Sequence, residues 1–234
     1  MIGLLILFLS AFIPPVIYAV WIRNTEKYER EPWHAIFLAF LWGATIAVVM
    51  SLILEIIFDV SLYTSIGDYN ITAFLMVIVV APVVEEFSKP LALGLKRVRK
   101  EINELEDGMI YGAAAGLGFS ATENLFYEAG FLSEGLMLFL LFVAIRTIGG
   151  CLLHASATAL TGYGYGRKIM GYGNGYMHYF ALAIAVHAFY NFLASLRLAG
   201  GIVSIVLALS FAMLCIRYIR KRIRKMDEEG EIIV

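Results

Sequence analysis

Apolar runs of roughly eighteen or more residues recur from one end of this chain to the other, and runs of that length are long enough to cross a bilayer as helices. They fall at residues 2–22, 33–58, 71–95, 108–127, 136–164, 177–196 and 199–219. The expected fold is therefore all-α, a polytopic transmembrane helix bundle of about seven spans. With 61% hydrophobic and 16% charged residues there is no stretch from which a soluble domain could be built, so residues 1–234 read as one integral membrane domain. The fifth run is longer than a bilayer core of roughly 30 Å requires. It must tilt, protrude or break, and a break at Gly149-Gly150 would make eight spans. Pro14-Pro15 is expected to kink the first run. No charge precedes Arg23, so the basic head of a cleaved signal peptide is missing and the first run reads as a retained span.

Charge distribution orients the spans. All but Lys89, Arg146 and Arg197 of the 18 basic residues lie after the first, third and fifth runs or, with Arg217, at and beyond the end of the seventh. By the positive-inside rule the N-terminus is outside and the C-terminus cytoplasmic, in a multi-pass protein of the cell membrane. Lys96–Asp107, dense in both signs, reads as a solvated loop or surface helix. The net charge of −1 carries no signal for nucleic acid, which is not an expected partner; the partners expected are the lipid bilayer and whatever protein the site acts on. Cys151 and Cys215 both sit in apolar runs, which argues against a disulfide framework or a thiolate metal site.

Within the third run stands A-P-V-V-E-E-F-S-K-P (81–90), placing Glu85, Glu86 and Lys89 where lipid-facing sequence should be apolar. One charge at the centre of a membrane helix costs about 2.5–3.5 kcal/mol, so an ionisable cluster there reads first as a functional site. The plain alternative is an ion pair that merely survives burial, since Glu85 and Lys89 share a face at i,i+4. Depth favours function. Glu85, His154 and His187 each lie about ten residues, roughly 15 Å of helix, from the cytoplasmic end of their runs. Glu123 fits that level less well. Gly108, Gly112 and Gly116 form a small-residue stripe that lets another helix approach and delivers Glu123 to a helix interface. Arg146, Gly150, His154 and Thr158 follow at intervals of four; Thr158 is one candidate partner for His154, and Arg146 reads as a counter-charge for Glu123 or another acid. His187 and Asn191, one turn apart, form a donor pair suited to an oxyanion or to crosslinking helices.

Taken together, E-E-F-S-K (85–89), D-G-M-I-Y-G-A-A-A-G-L-G-F-S-A-T-E-N (107–124), L-H-A-S-A-T-A-L-T-G (153–162) and H-A-F-Y-N (187–191) resemble the PrsW family of membrane proteases. Through E-E, F-x-x-x-E/H and H-x-x-x-N elements that family is similar to CAAX prenyl endopeptidases and bacteriocin-processing-like proteins. The resemblance implies a glutamate-dependent intramembrane peptidase open toward the cytoplasm, one whose type initiates cleavage of a membrane-anchored anti-sigma factor. The second element ends here in Glu123 instead of histidine, which leaves His154 to take the water-activating role.

Read as chemistry, the general base is Glu85 or, since the two carboxylates are coupled, its neighbour Glu86. His154 orients water or protonates the leaving amine, and His187 and Asn191 are the oxyanion donors. No cofactor is expected. The alternative is a zinc metalloprotease using Glu85, Glu86, His154 and His187. From another class, a proton-coupled transporter also places acids and histidines in crossing helices, but the repeat symmetry of many transporters is not visible.

Overall fold

The structure, a computed structural model, describes residues 2–173 and 175–231. Among them the chain is helical, with no strand. Its long helices are α1 (Ile2–Arg23), α2 (Trp33–Ile66), α3 (Tyr69–Gly94), α4 (Leu105–Ala129), α5 (Leu136–Ile169), α6 (Tyr176–Ser195) and α7 (Ile202–Glu231). Six of them, all but α4, are long and apolar enough to cross a membrane. Helices overrun several of the apolar runs because polar residues continue the turns: α2 reaches Ile66, α5 Ile169 and α7 Glu231. The glycine-rich loop before α6 shrinks accordingly to 170–175, of which Asn174 lies outside the described residues.

Helix α4 corresponds to the fourth run and owes its low hydropathy to glycine, alanine and polar residues. Its position explains that composition, since every residue from Glu106 to Ala121 is buried. Helix α5 runs antiparallel along the glycine stripe. A Cβ on Gly108, Gly112 or Gly116 would strike the carbonyl oxygens of Gly162, Thr158 and His154 in turn. Bare backbone on one side is what permits an approach this close. The same device recurs toward α2, where a Cβ on Gly118 would meet the Phe40 carbonyl. The seam sets His154 directly against α4.

Three helices widen into a π turn, at Gly43–Ala47 in α2, Met76–Val80 in α3 and Arg146–Cys151 in α5. The last contains Gly149-Gly150. The fifth run does not break there; it passes through the wide turn as one helix, so no extra span arises. Each such turn inserts a residue and rotates the remainder of its helix, a feature frequent at functional sites.

One end of the bundle is closed by polar contacts, some between distant segments and some within the turn that caps α4. The Lys27 amide donates to Asp227 Oδ2 (3.0 Å), Arg220 Nε to Thr25 Oγ1 (2.9 Å), and the Asn103 and Glu104 amides to Asp107 Oδ2 (2.7 and 2.6 Å). The expectation of a solvated Lys96–Asp107 segment holds for Lys96, Arg97, Arg99 and Lys100, which are exposed, and needs correction at its end. Lys96–Arg99 makes one short helical turn, but Glu106 and Asp107 are buried because the segment after α1 folds onto the start of α4. Oxygens of Glu26, Glu31 and Asp107 converge within 4.8 Å of one another. Burial, then a hydrogen bond to Asp107 and its charge, push the Glu31 carboxyl up to about 11; burial and the Asp107 charge push Glu26 up to about 8. Both hold a proton that the unfolded chain releases near 4.5. Their stabilisation is therefore complete below that pH and drains away as pH rises toward 8 at Glu26 and 11 at Glu31. Thermal melts of the solubilised protein should show a falling Tm between about pH 6 and pH 9. Glu26→Gln, which mimics the protonated carboxyl, should flatten that fall; an unchanged slope would remove Glu26 from the account.

Candidate active site

Helix α3 carries Glu85, Glu86 and Lys89 into the bundle. Lys89 is 0% exposed. Its Nζ lies 2.6 Å from Glu86 Oε1, 3.5 Å from Glu85 Oε2 and 3.0 Å from His154 Nδ1. Glu86 is a framework residue by its contacts: besides Lys89 it accepts from Thr158 Oγ1 (3.1 Å) and His187 Nδ1 (2.8 Å). Thr158 thus serves Glu86 and not His154. Glu85 points the other way, its Oε2 lying 3.6 Å from His154 Nδ1 and 3.9 Å from His187 Nε2.

Glu123 reaches the same place despite its offset depth. Its Oε2 sits 2.8 Å from His154 Nε2 and 2.5 Å from the Arg146 guanidinium, whose Nε donates to Asn124 Oδ1 at 2.8 Å. Arg146 is therefore the counter-charge of Glu123. Since a carboxylate only accepts, His154 Nε2 and His187 Nδ1 each carry the ring proton. Of the opposite nitrogens, His154 Nδ1 accepts from Lys89 Nζ, and His187 Nε2 presents its lone pair toward Glu85. The N–H of His187 is spent on Glu86, so an oxyanion-donor role does not suit it in this arrangement. Asn191 Nδ2 donates to the Val77 carbonyl (2.9 Å) within the π turn of α3, leaving its second N–H free of that bond.

Carboxylate-held histidines are thus paired with a crevice-facing glutamate, on successive helices in the order Glu85, Glu123, His154, His187. A family model described as PrsW family intramembrane metalloprotease matches residues 31–217. The chain is also 28% identical over 206 residues to Protease PrsW of Clostridioides difficile (strain 630), covering 86% of this chain and 84% of that protein. The chain belongs to the PrsW family. No solved structure matches it. As a PrsW-family intramembrane protease it is a multi-pass membrane protein that acts on a protein substrate in the membrane.

The family description raises the question of a metal, and the donor set fits one. Glu85, His154 and His187 each offer a ligand atom within 4.8 Å of the others. Both rings are backed by a carboxylate on the far nitrogen, the support that metal-bound histidines ordinarily have. Glu86, counted among the zinc ligands from sequence, has both oxygens engaged by Lys89, His187 and Thr158. Lys89 competes with any ion, because its ammonium donates to His154 Nδ1 and would have to release it.

Two adjoining cavities of about 310 and 320 Å³ share Val77, Ala81, Glu85, Glu123 and Tyr127 as lining, and so form one crevice past Glu85. One half reaches His187 and Asn191 on α6, and the other runs between α2 and α3 to Glu55. Sequence reasoning missed Glu55. The signal was present, a carboxylate in the apolar stretch L-I-L-E-I-I-F (52–58), but it has no partner at i+3 or i+4 to single it out.

Proposed function

We propose that this chain is an intramembrane peptidase that hydrolyses a peptide bond of a membrane-anchored protein with a water activated by Glu85. The observation that carries this reading is the convergence of Glu85 Oε2, His154 Nδ1 and His187 Nε2 on the wall of the crevice. A water there donates one hydrogen to Glu85 and the other to the His187 lone pair, which aims its oxygen at a carbonyl laid along the crevice. Glu85 takes the proton as the C–O bond forms. The free N–H of Asn191 is the donor left for the oxyanion. Collapse breaks the C–N bond, and the proton held by Glu85 goes to the leaving amine. Lys89, held by Glu86 and His154, is the donor that keeps Glu85 oriented.

A second reading puts zinc at the same point, held by Glu85, His154 and His187; bound there it would supply a water already acidified by the ion. The family description favours it and the Lys89 ammonium opposes it. Purified enzyme, extensively chelated and assayed on a membrane-anchored reporter, should keep its activity and contain no stoichiometric zinc. Loss of cleavage on chelation, restored by zinc, would make the second reading the correct one.

The further arrangement we propose is a seven-span bundle in which α4 is the fourth span, with the N-terminus outside and the polar collar cytoplasmic. The clustered basic residues support that orientation. Regulated cleavage of an anti-sigma-factor-like membrane protein is the substrate role that the family resemblance supports.

A further inference from the structure

Glu55 stands apart from every other charge in the crevice. Lys89 is taken by Glu85 and Glu86, and Arg146 by Glu123. Among the described residues no hydrogen bond or ion pair reaches the Glu55 carboxylate, and the charges it feels across the crevice are Glu123 and Lys89. Its surroundings are otherwise mostly apolar, with Leu52, Met76, Val77, Phe119 and Phe126 beside the hydroxyl-bearing Ser51 and Tyr127.

The helix face explains how it comes to be there. Val48, Ser51, Leu52 and Glu55 recur at i, i+3, i+4 and i+7, so one stripe of α2 faces the cavity. Ser51 Oγ and Ser88 Oγ, 2.8 Å apart, clamp that stripe to α3 one turn below, which fixes the rotation that turns Glu55 inward. Leu52, Val77, Phe126 and Tyr127, each at least 44% exposed, line the lip, so the crevice opens sideways toward lipid.

We infer that Glu55 is a specificity determinant that binds a lysine or arginine side chain of the substrate. This rests on the peptidase reading above. A carboxylate on an apolar, half-desolvated wall is stabilised by a cation more than it would be in water, and the protein supplies none among the described residues. The Ser51–Ser88 contact sets α2 and α3 at one level, and four residues toward the α2–α3 turn from each lie Glu55 and Val84, so Glu55 stands at about the depth of Glu85, across the crevice from it. The cationic residue therefore sits within about three positions of the scissile bond, the length of extended chain that reaches across the crevice.

The test uses full-length enzyme in proteoliposomes and a set of membrane-anchored reporters. These differ only in carrying Lys, Gln or Glu at one position, scanned across three residues on either side of the cut. Wild type should prefer the Lys reporter over the Gln reporter at one position by about tenfold or more, the size of one partly desolvated ion pair. Glu55→Gln should erase that ratio, and Glu55→Lys should turn the preference toward the Glu reporter at the same position. A ratio that is the same in wild type and Glu55→Gln, or no inversion in Glu55→Lys, overturns the inference. Cleavage of the Gln reporter that vanishes in Glu85→Gln carries the peptidase reading whatever Glu55 does. Wild type that cuts no reporter overturns both.

Discussion

Glu85→Gln should abolish cleavage while leaving the protein folded and at wild-type abundance. The substitution keeps the size of the side chain and its place on the crevice wall, but it removes the basic oxygen that faces His154 and His187 at 3.6 and 3.9 Å. A positioned general base contributes about 10²–10⁴ in rate, and no other carboxylate among the described residues faces the free lone pair of His187. Folding should survive because the main ligand of the buried lysine is Glu86, at 2.6 Å against 3.5 Å for Glu85. Cleavage of a membrane-anchored reporter, with enzyme matched by immunoblot, reads the first effect. A single membrane-anchored precursor accumulating in the membrane fraction of the mutant cells would identify the substrate. Near wild-type cleavage at equal abundance would remove Glu85 from the mechanism and return the Glu-Glu-x-x-Lys cluster to an ion pair.

Lys89→Met should instead act on folding. The ammonium is completely buried and is the shared partner of Glu85, Glu86 and His154. Methionine fills the same volume but strands two carboxylates at the centre of the bundle. Removing one member of a buried ion pair costs about 3–5 kcal/mol, a large part of the stability a domain of ordinary size possesses. The variant should show low yield in membranes and a sharply reduced Tm in detergent. Adding Glu86→Gln should recover part of that loss, since the stranded charge is then gone, and the shortfall from additivity measures the coupling. A Lys89→Met protein as stable as wild type would refute the structural role assigned to the lysine.

The two glutamates illustrate how far sequence alone reaches. Adjacent residues on a helix point about 100° apart, so the E-E pair announces a site without saying which member faces it. That depends on how α3 is rotated against α5 and α6, and the rotation is set by contacts such as Ser51–Ser88 and Asn191–Val77 that no local pattern encodes. Glu123 shows the same limit. Counting residues from the membrane surface puts it off level, because the count treats every span as an ideal upright helix. In the structure α4 lies so tightly against α5, glycine on carbonyl, that Glu123 meets the Nε2 of His154.

Several properties of this protein are already written in its residues: a helical membrane bundle, the glycine stripe as a seam of close approach, and a short set of ionisable residues too costly to bury without purpose. These come from hydropathy, side-chain volume and the cost of charge in lipid, all of which are local quantities. Packing in three dimensions was needed to decide that Glu86 holds the framework while Glu85 faces the crevice. It likewise decided that His187 donates its N–H to Glu86, that α4 is enclosed by its neighbours, and that Glu55 lines the crevice at all. Those outcomes depend on helix rotation, π-turn register and crossing geometry, which arise only when every helix packs against the others at once.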